Sequence, residues 1–144
     1  MITGMFDSGA LPVLERVVQF TEARHRVLAD NIANLSTPFF KPADLDPGGF
    51  QAALGDAIDR RRGRPVPGRG PLSLGDTRQI RFQAGSLEVR PGATNQNVLF
   101  HDRNNRDLER TMQHLAENTL AHNAAIEMIR NEMEQLRLAI RERI

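Results

Sequence analysis

LERTMQHLAENTLAHNAAIEMIRNEMEQLRLAIRERI, residues 108 to 144, is the stretch that decides the fold. Leu108, Met112, Leu115, Thr119, His122, Ile126, Ile129, Met133, Leu136 and Ile140 recur at alternating spacings of four and three. That rhythm is the seam of a heptad helix, and no Gly or Pro interrupts it. Upstream, Asn104 or Asn105 can cap the first turn, and Asp107 and Glu109 complement its positive end. The spacing therefore predicts one helix from about Asn104 to Ile144, roughly 60 Å long at 1.5 Å per residue. A compact domain of this size has a radius of gyration near 15 Å, about 30 Å across by that measure and roughly 40 Å in full. Such a helix projects from any globule, and its apolar seam calls for a partner.

A second seam lies at the other end of the chain. Ser8 can cap it and Pro12 is tolerated in its first turn. Leu14, Val18, Thr21, His25, Leu28, Ile32 and Leu35 then follow the same rhythm until Pro38 stops the helix. The fold class expected is mainly α: long N- and C-terminal helices paired as an antiparallel coiled-coil hairpin. Setting Leu35 opposite Leu108 brings Ile32 to Met112, Leu28 to Leu115, His25 to Thr119, Thr21 to His122, Val18 to Ile126 and Leu14 to Ile129. The four polar members then share two adjacent layers, and polar layers fix register at a cost in stability. In this register Met133, Leu136 and Ile140 extend beyond the first helix, free for neighbouring subunits.

Between the helices the composition changes. The chain divides into an N-terminal helix over 1–35, an irregular middle over 36–103 and a C-terminal helix over 104–144. Phe50, Leu54 and Ile58 predict a short amphipathic helix weakened by Gly55. Arg60 to Pro71, RRRGRPVPGRGP, predicts a mobile loop. Ile80 and Phe82, then Leu87 and Val89, suit one or two short strands within Gln79 to Arg90, and Asn95 to Asp102 reads as extended.

The bulk numbers exclude several chemistries. The 144 residues carry a formal net charge of +1, no Cys, seven Phe, no Tyr and no Trp. Disulfides, thiol catalysis and Cys-based zinc sites are ruled out. Near-neutrality offers no strong field for nucleic acid or an anionic membrane. No apolar run approaches a membrane span, and Met1 to Ala10 lacks the basic start of a secretory signal. Export would then use a route that cleaves no such signal.

Two motifs flank the seams. Asp30 to Lys41 reads DNIANLSTPFFK. It resembles the signature that follows the N-terminal helix of flagellar rod and hook proteins, NNIAN, then a Thr-Pro or Thr-Thr turn, then Gly-Tyr-Lys. The matching positions are Asn31, Ile32, Ala33, Asn34, Thr37, Pro38 and Lys41. His101 to Met112, HDRNNRDLERTM, is similar to the DGNNVDLDREM that opens the C-terminal helix of FlgB-type proximal rod proteins, through Asn104, Asn105, Asp107 and Leu108. Ala116, Glu117, Asn118 and Leu120 follow the same pattern. Phe39 and Phe40 depart from it, standing where Gly and Tyr are usual, as do Arg103 and Arg106. The Thr37-Pro38 pair, the short chain and Asn104 to Leu108 favour the proximal rod type.

The resemblance implies a structural subunit with no enzymatic role and no cofactor. It would leave through the flagellar type III export apparatus and stack helically with copies of itself and other rod proteins. Its place would be near the basal-body membrane ring, without inserting into the membrane, its terminal helices lining the inner tube. Leu28 with Leu115, His25 with Thr119, Thr21 with His122, and the free Met133, Leu136 and Ile140 would carry pairing and assembly.

Other readings of the residues stand beside it. A soluble coiled-coil adaptor would use the same seams. A small nucleic-acid-binding protein would use the basic stretch, where eight Arg between Arg60 and Arg90 face Asp76 and Glu88, a local net of +6. Only Phe82 is interleaved there, and Arg60 to Pro71 holds no aromatic for base stacking, which favours a solvated loop or an acidic protein neighbour. The four histidines show no HxxxH or HExxH spacing, so solvated or structural roles fit better than a metal. The amides of Asn31, Asn34, Asn104 and Asn105 suit helix capping and contacts between subunits alike.

Overall fold

The structure, a computed structural model, describes residues 9–66, 70–83, 86–93 and 108–141. Its first element, α1 (Leu11–Ala33), begins after Gly9, whose φ of 70° breaks the chain just before the helix. The N-cap is Ala10, with no side-chain cap, and Pro12 sits in the first turn where its missing N–H is harmless. Ser8 lies outside the described residues, and with the helix starting at Leu11 it is not the N-cap. The helix ends at Asn34, earlier than the proline alone would require. Asn34 donates both its backbone N–H and its side-chain Nδ2 to the Asp30 carbonyl, the latter at 2.9 Å.

The last element, α3 (Leu108–Arg141), runs for 34 residues, about 51 Å. It lies antiparallel along α1, which at 23 residues spans about 35 Å. The expected helical pair is present, with helix ends at Leu11, Ala33, Leu108 and Arg141. The caps proposed at Asn104 and Asn105 lie outside the described residues.

The middle of the chain is more ordered than its composition suggests. Strand β1 (Ala43–Asp44) leads into α2 (Pro47–Arg62), followed by β2 (Ile80–Gln83), β3 (Ser86–Val89) and β4 (Gly92–Ala93). Asp46 caps α2 by accepting the Gly48 N–H at 2.9 Å, Pro47 occupies its first turn, and Arg60 to Arg62 complement its negative end. The loop expected from Arg60 therefore starts only after Arg62, at Gly63. The helix continues because Phe50, Leu54, Ala57 and Arg61 form one buried face. Strands β2 and β3 fall where one or two short strands are expected, and they pair antiparallel, with Ile80 opposite Val89 and Phe82 opposite Leu87. An unanticipated ladder pairs Ala43 with Ala93 and Asp44 with Gly92. The extended stretch expected over 95–102 lies outside the described residues.

The core sits between α1 and this middle segment. Phe20, Leu45, Phe50, Leu54 and Ile80 form it, with Val13, Val17, Ala23 and the hairpin's apolar side packed around. The Phe20 and Phe50 rings stack, centroids 4.2 Å apart and planes 2° from parallel. Phe82 tilts against Phe50 at 6.4 Å. Helix α1 thus has two covered faces, one on the core and one on α3.

Candidate functional site

The face of α1 that meets α3 carries polar residues among its aliphatics. Thr21 Oγ1 lies 2.9 Å from His122 Nδ1, and it also bonds the Val17 and Val18 carbonyls one turn back. Thr21 and His122 thus share a layer, as the register has it. Asn118 is 3% exposed and donates Nδ2 to the Thr21 carbonyl at 2.8 Å, tying the two helices a second time.

A polar joint lies farther along the pair. Arg24 is buried and clasps Asp44 with two bonds, Nε to Oδ1 at 2.8 Å and Nη2 to Oδ2 at 2.6 Å. His114 of α3 places Nδ1 3.3 Å from the same Oδ2. One carboxylate on β1 therefore faces a group from each terminal helix. About two turns farther along α1, Asn31 grips Ala43 twice: Nδ2 donates to the Ala43 carbonyl at 2.6 Å, and Oδ1 accepts its N–H at 3.1 Å. The Asn31 amide imitates a strand neighbour, which fixes the chain's return after the turn.

The structure corrects the expected seam in three places. His25 is exposed, so its layer is not a buried one. It lines an open groove of ≈ 260 Å³ with Thr119, Glu22, Arg26, Asn118 and His122. The buried polar residue at that level of α1 is Arg24, because its carboxylate partner lies inside. On α3 the deepest residues are Asn118 and Ala125, each one position before the expected Thr119 and Ile126, which are half-buried. Small side chains let the helices approach, and the larger neighbours flank the contact. Near the turn the pair is open: Leu108 is 43% and Met112 50% exposed, so the two layers with Leu35 and Ile32 are not closed.

The other expected site residues are placed as follows. Leu28 is buried at 1% exposure and Leu115 is half-buried. Counting outward from the Thr21–His122 pair, the start of α1 reaches about Glu132, so Leu136 and Ile140 run past it. Ile140 is 49% exposed, whereas Met133 and Leu136 are half-covered. In the first motif Ile32 is half-buried, and Ala33, Thr37, Pro38 and Lys41 are exposed. The Thr37 N–H closes the turn on the Asn34 carbonyl at 2.9 Å. The Asn31 and Asn34 amides are thus spent within the chain. Asn104, Asn105 and Asp107 lie outside the described residues. Among the described residues no group of His, Asp and Glu converges as metal ligands would, and no helix is long and apolar enough to cross a membrane.

This is a scaffold of two long helices tied by Thr21, His122 and Asn118, with a motif-borne amide holding α1 to β1. The chain is 28% identical over 117 residues to the flagellar basal body rod protein FlgB of Borrelia hermsii, covering 78% of this chain and 82% of that protein. The chain resembles a flagellar rod protein. No protein-family model matches it. The similarity to FlgB carries the same name as the one read from Asp30 to Lys41 and His101 to Met112. In the first of these motifs, Phe39 takes the place of the usual Gly with φ 61°, a conformation that Gly adopts freely. The departure changes the side chain while keeping a backbone that suits Gly.

Sequence reasoning missed the joint of Arg24, Asp44 and His114, and it gave Asn118 only as a motif position without its buried role between the helices. A charged residue such as Arg24 reads as solvent-facing until its partner is placed. The available signal was positional: Arg24 falls four before Leu28 and Asn118 three after Leu115, each on the apolar side of its helix.

Proposed function

We propose that this chain is a structural subunit of the bacterial flagellar basal-body rod, of the proximal FlgB type, and has no catalytic role. The observation that carries the reading is the antiparallel pair α1–α3, with Asn31 of the DNIAN motif fastening α1 to β1 and His114 of α3 reaching the same strand at Asp44. The similarity to FlgB supports it over most of the chain. The two terminal helices are its rod-core unit, over 1–35 and 104–144, and the middle segment braces α1 from outside.

In this role the chain is made in the cytoplasm, exported through the flagellar type III apparatus without a cleaved signal, and added to a helical rod near the membrane ring. Its partners are copies of itself and other rod and basal-body proteins. Exposed apolar side chains on α3, Leu120 at 71%, Met128 at 55% and Leu138 at 57%, are the surface such neighbours would cover. A contact between unlike surfaces grows as an open helix instead of closing. The basic stretch does not favour nucleic acid: Arg61 is buried with Nη1 on the Gly9 carbonyl, and Arg60 donates to the Ser73 carbonyl.

The test is direct. Hook–basal bodies purified from cells expressing a tagged chain should retain the tag after membrane and outer rings are stripped. A tag recovered wholly in the soluble fraction of flagellated cells would overturn the reading.

A further inference from the structure

Phe39 combines two unfavourable features. Its φ of 61° lies in the left-handed region, where a bulky side chain is a genuine outlier, and the residue is 72% exposed. The turn holds it there, with the Thr37 N–H on the Asn34 carbonyl and the Phe40 N–H on the Thr37 carbonyl. Backbone strain of this kind persists where the surroundings over-determine it, and it clusters at ligand clamps and switches. Here it presents an apolar ring to water from the turn Ser36 to Lys41, while its neighbour Phe40 is half-buried.

At the other end of α1 lies a complementary surface. Gly9, Ala10 and Val13 face Ile58, Arg61 and Arg62 across an open, mainly apolar groove of ≈ 370 Å³. Ring and groove are separated by the length of α1, about 35 Å, so a chain cannot seat its own Phe39. Their charges match. The last turn of α1 has no basic residue and Asp30 there is exposed, while α2 ends at the groove with Arg60, Arg61 and Arg62. The charges of opposite sense are Lys41 on the ring side and, on the groove side, exposed Glu15 and Asp59, the latter 3.9 Å from Arg62. The exposed guanidinium of Arg62 is also a suitable cap for an aromatic face.

We infer that Phe39 of one copy seats in the groove between α1 and α2 of a second copy of this chain. The inference rests on the rod reading insofar as subunits of a rod meet copies of themselves. Ring and groove are different surfaces, so the contact is heterologous and adds copies head to tail along the α1 direction.

Phe39→Gly separates this role from a structural one. Glycine accepts the backbone without strain, so the variant should melt at a higher temperature than the parent. Its self-association, followed by sedimentation over a concentration series, should weaken about thirtyfold, as for loss of a central anchor. Ala10→Trp, which fills the groove, should weaken it similarly with helicity unchanged. Because the chain has no Cys, Ser36→Cys in one preparation and Ala10→Cys in another should join through a short bis-maleimide when mixed. Self-association that survives both substitutions without 36-to-10 crosslinks overturns the inference and leaves the rod reading standing. Absence of self-association at millimolar parent protein also overturns it. So does a groove occupied by the chain's own first residues, seen as an intramolecular crosslink from position 2 to Ala10→Cys. The rod reading itself fails only if the tagged chain is absent from purified basal bodies.

Discussion

Asp44 anchors two helices through one carboxylate. Arg24 approaches it with side-chain exposures of 7% and 16% for the two partners, so both charges have left most of their water. Removing one partner of such a pair strands the other, which costs far more than removing both. Asp44→Ala is therefore expected to destabilise the fold by about 3–5 kcal/mol in chemical denaturation, and Arg24→Met with Asp44→Leu to recover most of that loss. A double variant no better than the single one would show that His114 or another group, and not the stranded guanidinium, sets the cost. Asn31 is of the same kind on a smaller scale, its amide making the two bonds that a strand would otherwise supply to Ala43. None of these contacts is legible from local sequence. The ladder that brings Asp44 into place is two residues long, too short to show a period of two, and Arg24 looks like any solvated arginine on a helix.

At the scale of the element, the heptad rhythm foretold both long helices, and their antiparallel sense followed from the middle segment leaving the end of one and returning at the start of the other. It did so because burying an aliphatic stripe dominates helix stability, and a stripe is visible as spacing. The same logic located α2 through Phe50, Leu54 and Ile58, and the short strands, though not their pairing, through Ile80, Phe82, Leu87 and Val89. It failed where the buried residue is small or polar. Asn118 and Ala125 escaped a search for large apolar side chains, and His25 was drawn in because Thr21 and Leu28 bracket it at heptad spacing. The pairing itself is open to a direct check. Cysteines replacing Leu28 and Leu115 should form a disulfide readily, since bridging requires Cα atoms within about 7 Å. Leu28 is buried against the helix pair and Leu115 half-buried on the facing side. Failure of this pair, with bridging from Leu28 to a residue seven away from Leu115, would show a slipped register and contradict the Thr21–His122 layer.

The whole molecule is long for its mass. An α3 of 34 residues, about 51 Å, exceeds the roughly 40 Å diameter of a compact sphere of this chain length. Small-angle scattering should give a radius of gyration above the roughly 15 Å expected of a compact fold. The end of α3 that passes α1 carries little of the monomer's core, so its apolar side chains are available to neighbours. Ile140→Asp should then leave the melting temperature of the isolated chain within a few degrees of the parent while blocking assembly. A charge desolvated without a partner at a subunit contact costs several kcal/mol. A variant that unfolds the monomer would place Ile140 in its core instead. The rod assignment meets its most direct test in cells. Deleting the gene should leave cells with no external flagella by electron microscopy, and the parent chain supplied in trans should restore them where the Ile140→Asp chain does not. Normal filaments on the deletion strain would contradict it.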